Sequence, residues 1–109
     1  EEELKDTLRI DDYLIRNREA TFLFKARGDS MIEAGIMPGD LLLVERGMEP
    51  KNGDIVVAEV DRKWTLKYFK KDRGRIWLEP ANKKYRPIYP KEDLKIAAVV
   101  VGVIRKYRL

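Results

Sequence analysis

The sequence predicts a mainly β domain. Three observations carry that prediction. There are six runs of β-branched, aromatic and aliphatic residues, most are separated by short Asp, Gly or Asn turns, and only one internal segment has helix punctuation.

The first run is ATFLFKAR (20–27), rich in β-favouring residues. LLLVE (41–45) follows the turn MPGD, where Pro38 sets φ at the second turn position and Gly39 supplies positive φ at the third. NGD (52–54) turns into IVVAEV. DRK (61–63) turns into WTLKYFKK, and DRG (72–74) into RIWLEP. KIAAVVVGVI (95–104) is the longest apolar run, and its β-branched content predicts a buried strand. The single internal helical piece is SMIEAG (30–35), with Ser30 as N-cap, Glu33 at N3 as in a capping box, and Gly35 ending it. Residues 1–19 are charged, with sparse apolar positions at Leu4, Leu8, Ile10, Leu14 and Ile15, and read as an extended arm with one helical turn.

The chain has 109 residues, which predicts one domain, here residues 20–109 beyond the arm; 44% are hydrophobic, enough for one modest core. It contains no cysteine, so disulfides, zinc–thiolate centres and thiol nucleophiles are excluded. No metal or cofactor is expected. No apolar stretch reaches the roughly 18 residues of a membrane span, and the acidic start EEEL is not a signal peptide. A cytoplasmic location is compatible with the lack of cysteine. Net charge is +4, with basic clusters at KKDRGR (70–75), KKYR (83–86) and RKYR (105–108). No groove-reading motif accompanies them, so they read as solvated turns and a chain end, and no sequence-specific DNA binding is expected.

One short stretch raises a chemical question. Residues 28–31 read GDSM, and a serine hydroxyl is inert at neutral pH unless a base takes its proton. The chain has no histidine. Lys, Asp, Glu and Tyr remain as candidate bases, and a serine before a short helix is ordinarily just a cap. In KWTLKYFK (63–70) side chains alternate: Trp64, Leu66 and Tyr68 read as the core face, and Lys63, Thr65, Lys67 and Phe69 as the half-covered one. A lysine acts as a base only when neutral, which requires a pKa drop of roughly 3 units, and burial against apolar groups can supply it. Sequence spacing does not show whether Ser30 and Lys67 meet.

The segment ATFLFKARGDSMIEAGIMPGDLLLVERG, continuing through NGDIVVAEVDRKWTLKYFKK and LEPANKKYRPI into VVVGVI, resembles the LexA/UmuD family of self-cleaving peptidases (peptidase S24) from about residue 8 onward. The opening EEELKDTLRIDDYLI looks more like the arm of UmuD. The resemblance implies a domain of highly curved antiparallel sheets with a short helix at the nucleophile. It implies Ser30 as nucleophile and Lys67 as general base, with Leu66 where the family often has valine. The amides of Ser30 and Met31 would stabilise the oxyanion. It further implies cleavage of an Ala-Gly or Cys-Gly bond, a homodimer joined near residues 98–105, stimulation by the RecA–DNA filament, and service as a translesion polymerase subunit after processing. The second possibility is the protease and dimerisation part of a LexA-like repressor. Residues 1–29 contain neither bond, and Ala34-Gly35 is too close to Ser30 to be its target, so the scissile bond is expected elsewhere.

Overall fold

The computed structural model describes residues 9–108; Leu4 and Leu8 of the arm lie outside the described residues. Six strands, β1 (Thr21–Lys25), β2 (Leu41–Glu45), β3 (Ile55–Val60), β4 (Lys63–Asp72), β5 (Arg75–Glu79) and β6 (Leu94–Ile104), form one sheet in the order β1-β2-β6-β3-β4-β5. Every neighbouring pair is antiparallel. The ladder is irregular where β6 meets β2 at Leu43/Val44 and where it meets β3 at Val57/Ala58. Such bulges increase twist and bend the sheet.

Turn chemistry sets the strand joints. Gly39 has φ of 94°, which an L side chain resists, and the Asp40 amide donates to the Met37 carbonyl over 3.0 Å, closing the turn before β2. The Asp40 and Asp54 carboxylates each accept from the backbone three residues back, at Met37 and Lys51.

Buried apolar clusters lie on both faces of the sheet and follow the period of two. One contains Met31, Leu42, Val44, Val57 and Ala98, with Leu66 and Tyr68 packed against it. The other contains Val56, Ala58, Phe69, Leu78 and Val99. The arm contributes the helix α1 (Ile10–Leu14) and a 3-10 turn at Arg18–Ala20. Leu14 and Leu43 both pack over Gly102, 3.5 and 3.4 Å from where its Cβ would stand, an ordinary contact distance. Arg16 pairs with the buried Glu45. No helix among the described residues is long and apolar enough to cross a membrane.

Two sequence expectations are corrected here. Trp64 is not core: it is 63% exposed, while Lys67 and Phe69 on the opposite face are buried. Trp64 stands near the start of β4, beyond the cover of either cluster, where it lines an open groove with Phe22, Phe24 and Ile96. β6 is also not buried throughout. Ala98 and Val99 are buried, but Val101 and Val103 are exposed. β2 covers β6 from Val99 to Ile104 and β3 covers it only from Leu94 to Val99, so the far half of β6 has one unpaired edge among the described residues.

Candidate active site

The site forms where the segment after β1 crosses β4. β5 pairs with β4 only from Tyr68 to Asp72, so the same edge of β4 over residues 63–67 is left without a strand. Ser30 lies against that edge. Its hydroxyl donates to the Leu66 carbonyl over 3.3 Å. The Lys67 Nζ lies 3.3 Å from the Ser30 Oγ and also donates to the Thr65 Oγ1. Residues 37 apart in sequence thus meet through one strand edge.

Ser30 is not a helix cap. The short turn is a 3-10 helix at Ile32–Ala34, its N-cap is Met31, and no side chain caps it. Glu33 does not complete a capping box; its carboxylate accepts from the Lys83 amide over 3.1 Å. The reason is tertiary: Met31 is drawn into the apolar cluster at 2% exposure, which sets the turn one residue later and leaves the serine hydroxyl facing β4. The Ser30 and Met31 amides donate to no acceptor among the described residues.

Lys67 is 8% exposed. It stands across the ladder from Val56, which in turn stands across from Val99, so an apolar row runs up to the amine along one face. No carboxylate lies within ion-pair distance of it among the described residues. Burial pushes its pKa below the ordinary 10.5.

Three features of the site were not legible as such. By sequence Thr65 is only a strand-face residue, yet it holds the lysine amine. The cluster KKYR, read as solvated, supplies Lys84 and Tyr85, which both bond the Asp29 carboxylate. The Tyr85 hydroxyl first, then Lys84, holds that carboxylate below its usual range. Arg105, in a cluster read as a chain end, binds both oxygens of Asp40 at 2.7 and 2.6 Å and the Gly35 carbonyl at 2.7 Å. It thereby braces the far end of the loop that carries Ser30. The signal available was the burial demanded by Asp40 before an apolar strand, since a buried carboxylate needs a partner.

A mainly antiparallel domain thus brings a serine hydroxyl to a buried lysine amine that has no carboxylate partner among the described residues. The profile of the Peptidase S24-like family matches residues 1–101, and the chain belongs to that family. Curated relatives agree. The chain is 42% identical over 106 residues to the LexA repressor of Clostridium perfringens, covering 97% of this chain and 52% of that protein. It is 43% identical over 105 residues to the LexA repressor of Acetivibrio thermocellus, covering 96% and 49%. The LexA repressor of Clostridium botulinum gives 42% over 106 residues, 97% and 52%. The chain therefore spans about half the length of the curated relatives it matches.

Proposed function

We propose that this chain is a serine endopeptidase domain with a Ser30–Lys67 dyad, serving as the self-cleaving and dimerising half of a LexA-like repressor. The observation that supports it most is the contact of the Ser30 hydroxyl with a buried lysine that lacks a carboxylate partner among the described residues. An acid beside Lys67 would hold it charged; apolar surroundings favour the neutral amine.

The chemistry runs in two halves. Neutral Lys67 takes the proton of Ser30 as its Oγ attacks a peptide carbonyl carbon. The tetrahedral oxyanion accepts from the Ser30 and Met31 amides. The Lys67 ammonium then gives its proton to the departing amine, leaving an ester on Ser30. Water, with Lys67 again as base, hydrolyses that ester. Thr65 accepts from Lys67 and keeps the amine aimed at Ser30. The Lys67 amine donates to Oγ and the hydroxyl donates to Leu66, so for attack the hydroxyl must turn its proton from Leu66 to a neutral Lys67.

The bare edge of β4 supports an extended peptide as substrate. The Leu66 carbonyl faces that edge, and by strand alternation so do the backbone groups of Trp64. A peptide strand added there would lie beside Ser30.

The relatives named LexA repressors favour the repressor domain over the polymerase-subunit role that the opening residues suggested. Stimulation by a RecA–DNA filament and a cytoplasmic location belong to the same proposal. Its test is direct. A fluorogenic peptide carrying an Ala-Gly bond is cleaved by the wild-type chain and not by Ser30→Ala or Lys67→Ala. Equal cleavage by all three would overturn the dyad.

A further inference from the structure

The geometry points to Asn82 as a positioning residue that aims the oxyanion donors; the inference rests on the peptidase function proposed above. The loop after β5, residues 80–85, lies along the Ser30 segment. Asn82 is 6% exposed, and its Nδ2 donates to the Asp29 carbonyl over 2.7 Å. The neighbouring Ala81 amide donates to the Ser30 carbonyl over 2.8 Å, and the Glu33 amide donates back to the Ala81 carbonyl over 2.7 Å.

These bonds act through the peptide plane. In a trans peptide the carbonyl and the N–H of the next residue lie in one plane and point in opposite directions. The Asp29 carbonyl and the Ser30 amide share one plane. The Ser30 carbonyl and the Met31 amide share the next. Fixing the two carbonyls toward residues 81 and 82 turns the two amides away from that loop. Those are the amides that donate to nothing else among the described residues. The Ala81 bond is backbone and survives most substitutions, and the Asp29 carbonyl also accepts from the Ile32 amide at a longer 3.4 Å, so Asn82, at 2.7 Å, is the side chain that holds the plane of the Ser30 amide.

The assignment of the Asn82 amide follows from its partners. Its Oδ1 accepts from the Lys84 amide over 2.9 Å, which leaves the NH2 group for the Asp29 carbonyl. The reverse orientation would set acceptor against acceptor at one end and donor against donor at the other. Lys84 and Tyr85 on the Asp29 carboxylate, and the Lys83 amide on Glu33, hold the loop in place independently. Asn82 therefore sits in a loop that has other anchors when its own donor is removed.

The discriminating variant is Asn82→Ala, which removes the donor without setting a new charge beside the site. With the Ala-Gly peptide as substrate, kcat per folded chain falls about ten- to hundredfold, less than deletion of a whole oxyanion donor, while KM stays within about twofold. The pH midpoint of the rate, set by Lys67, does not move. The inhibition constant of a peptide boronic acid, whose tetrahedral adduct on Ser30 uses the same amides, rises by the same factor as kcat/KM falls. A role in folding alone would lower the folded fraction without changing that constant. Independently of any variant, the wild-type NMR spectrum shows a scalar coupling across the hydrogen bond from the Asn82 side-chain nitrogen to the Asp29 carbonyl carbon. Unchanged kcat and inhibitor affinity in Asn82→Ala, a displaced pH midpoint, or absence of that coupling overturns the inference while leaving the dyad standing. A wild-type chain that cleaves nothing overturns the peptidase function, and this inference with it.

Discussion

Lys67 stands directly across the β3–β4 ladder from Val56, a residue with no solvent exposure. A lysine set in that row has no counter-charge among the described residues, and the same placement brings its amine to Ser30. The Lys67 pKa is lowered for one physical reason, the loss of water around the ammonium.

The first prediction is the pH dependence of cleavage. The active amine is the neutral one, so the trans-cleavage rate climbs by about tenfold per pH unit below the lowered pKa of Lys67 and levels above it. Lys67→Arg abolishes the rate across the accessible range, because a guanidinium keeps its proton. A pH–rate profile of the wild type and both Lys67 variants measures this. A flat wild-type profile contradicts it.

The second prediction concerns stability. Below the lowered pKa both folded and unfolded chains carry the charge, and burying it destabilises the fold in full. Between that pKa and the ordinary 10.5 the unfolded chain binds a proton that the folded chain does not, so stability rises with pH. Lys67→Ala removes this slope. At neutral pH it is as stable as the wild type or more so, by no more than about 2 kcal/mol, since truncation leaves a void. Urea unfolding at a series of pH values reads the difference, and a marked loss of stability at neutral pH would refute it.

Acid should act through Asp40. The Arg105 guanidinium first, and then the Met37 amide, hold its carboxyl down at about 2 instead of 3.8. That contribution is complete above the ordinary value and is lost as pH falls through about 2. Asp40→Asn is less stable than the wild type at neutral pH, and the gap narrows as the pH is lowered through that window. Denaturation midpoints of the two proteins, compared across it, check the sign.

Peptide binding should follow the bare edge of β4. Titrating an Ala-Gly peptide into a labelled Ser30→Ala chain shifts amide resonances at residues 26–32 and 64–69. Shifts confined to the basic clusters would place the peptide elsewhere.

Self-association is expected at the unpaired edge of β6. Two copies pairing antiparallel near residues 98–105 would form an isologous contact and cover Val101 and Val103. Light scattering at tens of micromolar should give twice the chain mass, and Val103→Lys should shift it toward the monomer. A wild-type monomer there rules the contact out.

Much of this was legible locally. β-branched runs and turn residues located all six strands, because strand propensity and turn chemistry are set by neighbouring residues. The motifs GDSM and TLK singled out Ser30 and Lys67 through a resemblance. What periodicity supplied was the sharing of a face by Lys67, Thr65 and Phe69. It did not rank that face against the one bearing Trp64, because which face is covered depends on segments distant in sequence.

The sequence by itself thus determined the elements, the turns and the absence of histidine and cysteine chemistry. Only the tertiary structure decided that Ser30 meets Lys67 and not the helix start, that β5 stops short and bares the edge of β4, and that Asn82 and Arg105 grip the nucleophile loop from two sides. The physical reason is the range of the forces. Propensity and alternation act over a few residues, whereas burial of an amine and satisfaction of a carbonyl depend on which distant segments the folded sheet brings together.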